Sequence, residues 1–227
     1  MLADTMRRFR ARRMSEFVAR FAITNETRIL DVGGTPANWQ LTNVRPRVTL
    51  LNMPRGQERS EDGFTFVSGD GCQLPFRDQS FEIVFSNSVI EHVGCPELQR
   101  RFADEVRRVG QRYWVQTPNR YFPLEPHLLT PFVHWLPRPV QRVWVTKWTV
   151  WDWIERPSHD RREYYIHHFL EDIRLLSACE LRGLFPDAEI LREHSFGCTK
   201  SLIAASNRAA TAGERHPRTM KPSELAT

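Results

Sequence analysis

The sequence predicts a single α/β domain built around a parallel sheet, and three observations carry that expectation. Short β-type runs recur along the chain, segments of helical character lie between them, and the first run leads directly into the glycine pair Gly33-Gly34. At 227 residues and 41% apolar, the chain can bury one substantial core and has little room for two large domains.

The first element is a helix over residues 5–21, where Met6, Phe9, Met14, Phe17, Val18 and Phe21 recur at helical spacing and arginines fill most of the other face. A basic amphipathic helix either docks on its domain with the arginines solvated or lies on an anionic membrane, and docking is the expected state here. Strands follow at 28–32 (RILDV), 47–52 (RVTLLN), 64–69 (FTFVSG), 81–86 (FEIVFS) and 112–117 (RYWVQT), each bounded by turn chemistry. The clearest helix between them is 96–109, opened by Pro96 at a first-turn position and burying Leu98, Phe102, Val106 and Val109. Further on, 171–185 reads as a helix closed by Pro186, and AEILREHSF and CTKSLIAAS read as two strands around a turn at Gly197.

Two segments break this rhythm, the proline-rich 119–139 and the tryptophan-rich 140–155, and together they are expected to form an inserted lid. Residues 207–227 have almost no apolar content and no periodicity, so the domain is expected to span 1–206 and to be followed by a disordered tail.

Several function classes are disfavoured by composition. The net charge of +5 is mild and scattered, which gives no footprint for a nucleic-acid partner. No apolar run is long enough to span a bilayer, and the basic N-terminus is not followed by an apolar signal core, so a cytoplasmic location is expected. Cys72, Cys95, Cys179 and Cys198 show no CxxC spacing and read as free thiols. SHDRREYYIHH (158–168) offers His159, Asp160, His167 and His168 without an HExxH pair; it reads as polar loop and helix start, and no metal is expected.

The chemistry starts at the strand ending in Asp31. Gly33-Gly34 lets the backbone turn sharply and approach a ligand at the carboxyl end of the sheet, where open α/β folds bind. A dinucleotide requires GxGxxG, and Thr35, Pro36 and Ala37 crowd that approach, so a pyrophosphate ligand is disfavoured. The absence of a Tyr-x-x-x-Lys pair around Tyr164 or Tyr165 further disfavours a nicotinamide oxidoreductase.

LDVGG, followed by GDGCQLPFRDQSFEIVFSNSVIEHV (69–93), resembles the class I S-adenosylmethionine (SAM)-dependent methyltransferases of the small-molecule type that includes quinone C-methyltransferases. The resemblance covers about residues 28–118, and the C-terminal hairpin loosely. It implies a Rossmann-like seven-stranded sheet with the last strand antiparallel, SAM as cofactor, and methyl transfer to a small-molecule or lipid-like acceptor. Asp70 matches the position whose carboxylate accepts from the adenine amino group, and Asn52 stands where the family carries a carboxylate for the ribose. The family's other loop glycines are replaced by Thr35 and Ala37. The expected cofactor set is Asp31, Gly33, Gly34, Asn52, Met53, Asp70, Gly71, Cys72 and Asn87. A noncatalytic SAM-fold partner or scaffold is the alternative that these departures motivate.

Methyl transfer from a sulfonium needs alignment, exclusion of water and, for some acceptors, removal of a proton. His92 and His127 are the candidate bases, each beyond a strand end, with Glu91 and Glu125 placed to orient them. Arg120, Tyr121, Glu125 and Trp148 are the candidate acceptor contacts, because they follow the fifth strand. Trp144, Trp148 and Trp151 recur at i, i+4, i+7 on one helical face. That stripe packs the lid onto the domain, walls a hydrophobic acceptor, or makes peripheral contact with a membrane interface.

Overall fold

Buried side chains occupy both faces of β1 (Arg28–Val32) and β2 (Arg47–Asn52), the pattern of strands covered by helices on each side, and the two pair in parallel. The computed structural model describes residues 2–54 and 63–206, the side chains of 2–6 excepted. The remaining strands are β3 (Phe64–Ser68), β4 (Phe81–Asn87), β5 (Gly110–Pro118), β6 (Leu124–Glu125), β7 (Thr130–Pro131), β8 (Ala188–Ser195) and β9 (Cys198–Ser206). β6 and β7 form a separate two-stranded ladder, and the other seven form one sheet in the order β3-β2-β1-β4-β5-β9-β8. β1 to β5 run parallel, whereas β9 is antiparallel to both β5 and β8. The expected seven-stranded sheet with an antiparallel last strand is therefore present, and Phe196 and Gly197 turn the hairpin with φ of 50° and 76°.

Helices α1 (Leu2–Phe21), α2 (Pro36–Trp39), α3 (Pro96–Val109), α4 (Arg138–Lys147), α5 (Val150–Glu155), α6 (His159–Glu171) and α7 (Ala178–Leu184) complete the chain. On one face of the sheet, α3 and α7 bury Phe102, Val106 and Leu181 against Leu30, Val84 and Val115. On the other, Met14, Phe17 and Phe21 of α1 meet Trp39, Phe85 and Trp114. Phe17 packs edge-on against Trp39, Phe85 and Trp114, with centroids 4.9 to 6.2 Å apart. Docking, the expected state of the first helix, is the observed one.

The region between β5 and α7 has its own small core of Leu128, Val133, Val145, Ile166, Phe169, Leu170, Ile173 and Leu175. This packing unit continues past residue 155 into α6. The expected tryptophan face does not form. The Thr149 hydroxyl and the Asp152 carboxylate exchange hydrogen bonds with each other's backbone N–H, a capping box that starts α5 afresh. Trp148 is consequently extended at the end of α4, so Trp144 and Trp148 stand half exposed while Trp151 is buried against Tyr165.

The helix expected over 171–185 is likewise divided. Leu176 forms a bridge with Asn119, and a second capping box between Ser177 and Glu180 opens α7. The four cysteines are free thiols. Among the described residues, no helix is long and apolar enough to cross a membrane. The tail expected at 207–227 lies outside the described residues.

Candidate active site

The carboxyl ends of β1 to β4 open into a cavity of about 480 Å³ lined by Gly33, Asn52, Met53, Asp70, Gly71 and Cys72, together with His92 and His168. Six of the nine expected cofactor residues thus meet in one place. Gly33 holds φ 73°, and a side chain there would drive its Cβ to 2.5 Å from a Val89 methyl. The Asn52 amide donates to the Gly34 carbonyl at 3.0 Å, tying the end of β2 to the loop after β1. Asp70 Oδ1 accepts from the backbone N–H of Cys72 at 2.8 Å, which fixes the carboxylate within the turn. Burial, followed by the nearby charge of Asp70, pushes the Cys72 thiol up to about 11.

Three expected cofactor residues sit elsewhere. Asp31 is fully buried beneath the loop and does not line the cavity, because its Oδ2 accepts from the Trp39 indole at 2.8 Å. Burial pushes its carboxyl up to about 7 despite that hydrogen bond. Gly34 also lies outside the cavity lining; a Cβ there would fall 1.9 Å from Asp31 Oδ2, so this glycine serves close packing within the loop. Thr35, where the loop departs from the family pattern, precedes α2 and faces a second cavity.

That second cavity, about 420 Å³, lies on the other side of Gly33 and Ser88, which line both. Phe9 and Arg10 of α1, Asn87, Phe122, Leu124 and Lys200 are among its walls. Asn87 therefore belongs to this chamber and not to the first. Ser88 holds the left-handed conformation at φ 58°, fastened by its backbone N–H and its hydroxyl, which donate to the Gln116 carbonyl and side-chain oxygens at 3.0 and 2.9 Å. In the wall of the same chamber, the mostly buried Arg13 guanidinium donates to both Glu193 oxygens at 2.7 and 2.5 Å, and also to Asn87 and Gln116.

The expected acceptor contacts do not line this chamber. Arg120 and Tyr121 border a separate cavity of about 560 Å³ with Trp135 and Phe169. Trp148 lines none of the cavities described. A larger cavity, about 960 Å³, lies among Arg28, Arg47, Phe64 and Phe81 at the amino ends of the strands, away from the loops just described.

The two candidate bases do meet. His92 Nε2 and His127 Nε2 are 3.2 Å apart, His127 Nδ1 donates to Glu125 Oε1 at 2.6 Å, and Glu125 is fixed by the backbone N–H groups of His127 and Leu128. On the far side, His92 Nδ1 lies 3.0 Å from His168 Nε2, and His168 Nδ1 donates to Asp172 at 2.8 Å. Glu91, fully buried, accepts from Thr117 through Oε2, while its Oε1 accepts no hydrogen bond and lies 4.0 Å from His92 Nε2. Burial, opposed by a backbone hydrogen bond and the His127 charge, pushes Glu91 up to about 7. Burial disfavours the His127 imidazolium, but the hydrogen bond and charge of Glu125 outweigh it, and the pKa lies above the usual histidine value.

Sequence reasoning missed Arg13, Ser88, Gln116, Lys200, His168 and Asp172 as parts of this region. Only the His168 and Asp172 pair, at i, i+4 on one helix, carried a local signal.

Residues 28–112 match the family model described as a methyltransferase domain. A methyltransferase of Mycolicibacterium vanbaalenii, itself uncharacterised, is 34% identical over 89 residues, 36% of this chain and 34% of that protein. An uncharacterised protein of Mycobacterium tuberculosis is 37% identical over 54 residues, 24% of this chain and 18% of its own. The chain thus spans only 18 to 34% of the length of these curated relatives. Among solved structures, a SAM-dependent methyltransferase of Methanosarcina mazei aligns with a TM-score of 0.50 at 14% identity, over 84% of this chain and 96% of that one. A protein described as an antibiotic-pathway methyltransferase of Anabaena variabilis aligns with a TM-score of 0.51 at 14% identity, over 80% and 64% of the two chains. Residues 28–112 are therefore similar to a methyltransferase domain, and the chain has the fold of the SAM-dependent methyltransferases with which it aligns.

Proposed function

We propose that this protein transfers the methyl group of SAM to a small-molecule or lipid-like acceptor. The observation that carries the reading is the pair of cavities meeting at Gly33 and Ser88, one at the strand ends that hold Asn52 and Asp70, the other largely apolar in its walls. The first fits the cofactor: Gly33 gives close backbone approach, Asn52 and Met53 stand at the ribose end, and Asp70 offers an acceptor for the adenine amino group. SAM, when bound, supplies an electrophilic methyl on a sulfonium. The chain's own part is alignment across the shared wall and exclusion of water by α1 and the β8–β9 hairpin.

Phe9, Phe122, Leu124 and Leu129 suit an apolar body in the second cavity, and Arg10 and Lys200 suit an anionic group on it. His92 lines the first cavity and neither His92 nor His127 lines the second, so the pair serves as base only for an acceptor that extends past Gly33 and Ser88 toward the strand ends.

Calorimetric titration with SAM tests the cofactor half, with Asp70→Ala expected to weaken binding by about 1 to 3 kcal/mol through loss of a charged acceptor. Release of S-adenosylhomocysteine, followed across acceptors with and without an anionic group on an apolar body, tests the rest. Absence of SAM binding would leave the domain a noncatalytic partner or scaffold. Tight SAM binding that Asp70→Ala does not change would remove that residue from the site.

A further inference from the structure

We propose that Glu91, His92 and His127 form a binding site for one divalent first-row transition-metal ion, at the edge of the cofactor cavity. Ligand atoms from the three residues lie within 4.8 Å of one another. The two Nε2 atoms are 3.2 Å apart, close to the roughly 3.4 Å edge of a tetrahedron with nitrogen-to-zinc bonds of 2.0 to 2.1 Å. Glu91 Oε1 is 4.0 Å from His92 Nε2, so a modest rotation of the carboxylate closes the third edge.

The hydrogen bonds around the trio fix which nitrogens face inward. Asp172 and Glu125 are carboxylates and must receive, so His168 and His127 each donate from Nδ1. His92 Nδ1 meets His168 Nε2 at 3.0 Å, which turns Nε2 of His92 toward Nε2 of His127. The fully buried Glu91 Oε1, which accepts no hydrogen bond, is an acceptor at the same point. A cation at that point would give the buried Glu91 oxygen the partner it lacks. Carboxylates behind metal-binding histidines orient the rings and raise their basicity, and Glu125 and Asp172 occupy those places.

Two imidazoles and one carboxylate leave coordination positions open, the arrangement of a site that takes an exogenous ligand and not of a closed structural one. Side chains of His92 and His127 are 30% and 19% exposed, so the open side is reachable. The ligand class for those positions is an oxygen donor, a hydroxyl or carboxyl group. Its identification with the methyl acceptor rests on the function proposed above, whereas the metal site does not.

The test uses the full chain, washed with chelator and titrated with Co²⁺ and Zn²⁺ in the absence of SAM. One Co²⁺ per chain with visible ligand-field bands, and a Kd tighter than about 10 μM, is expected. Glu91→Gln and His127→Ala should each weaken binding at least about tenfold, and Glu125→Gln by about 10- to 100-fold. His159→Ala, at an exposed histidine outside the cluster, should leave it unchanged. If His127→Ala does not fold, Glu91→Gln and Glu125→Gln read the same site with near-isosteric side chains. Failure of the wild-type chain to bind either ion, or equal binding by Glu91→Gln and the wild type, overturns the proposal. SAM titration of the same samples separates the two ideas, since loss of one binding event does not entail loss of the other.

Discussion

Arg13 ties α1 to β8 in the wall of the second cavity, and its removal has a calculable cost. Its side chain is 8% exposed and that of Glu193 14%, and two charge-assisted bonds of 2.7 and 2.5 Å link them. The same guanidinium also donates to Asn87 and to Gln116. Arg13→Ala strands a nearly buried carboxylate, an effect worth about 3 to 5 kcal/mol for fully buried pairs, and the residual exposure places it at about 3 kcal/mol. Glu193→Ala strands the cation at similar cost. The double variant leaves neither charge unpaired, so it should fall only slightly below either single, giving a coupling energy of about 2 kcal/mol. Urea unfolding of the four proteins at constant m-value measures this directly. Should the single effects add within about 0.5 kcal/mol, the buried pair does not hold α1 to the hairpin and the reasoning is wrong. In folded Arg13→Ala, SAM affinity should stay within about twofold while acceptor KM rises, because α1 walls only the second cavity.

Asp31 binds its proton more tightly in the folded chain, with its carboxyl pushed up from 3.8 to about 7, so its ionisation destabilises the native state as pH rises from about 4 to about 7. The slope from one such group is at most about 1.4 kcal/mol per pH unit, and Asp31→Asn, which keeps an acceptor for Trp39, should remove that component from urea-derived stability between pH 5 and 8. Asn52→Asp should weaken SAM binding, not improve it, because the amide N–H donated to Gly34 becomes an oxygen facing a carbonyl; calorimetry showing equal or tighter binding would contradict that role. Trp148→Ala should leave both unfolding free energy and acceptor KM little changed, as the indole is half exposed and outside the cavities; a large rise in acceptor KM would return Trp148 to the site.

The sheet was legible because its strands are short apolar runs between turn residues, and because Gly197 marks a tight reversal. Strand order came through family resemblance, since period-two patterning cannot say which strand neighbours which. Helix breaks were less legible. The run Trp144, Trp148, Trp151 satisfies helical spacing, but Thr149 with Asp152 satisfies the competing rule for a new helix start, and the cap prevails. Gly33, Asn52 and Asp70 line one cavity, as their places after strand ends implied. Asp31 was misassigned because a local motif does not reveal that an indole eight residues on will claim its carboxylate. Arg13 with Glu193, 180 positions apart, and His92 with His168, 76 apart, are products of tertiary packing with no footprint in any local window.

The wall shared by the two cavities also divides the stretches of chain that line them. The first cavity is lined almost entirely by residues 28–112, the stretch that matches the family model, whereas the second is lined largely by α1, the segment after β5 and the terminal hairpin. Ser88 is held at its left-handed φ by Gln116, so the wall shared by the two cavities is set by the loop after β4 and by β5, and not by α1 or the terminal hairpin. On the proposed function, the grip on SAM and the choice of acceptor would then vary independently, because different stretches of chain line the two cavities. Replacing α1 or the hairpin would then change the second cavity and leave the cofactor cavity intact.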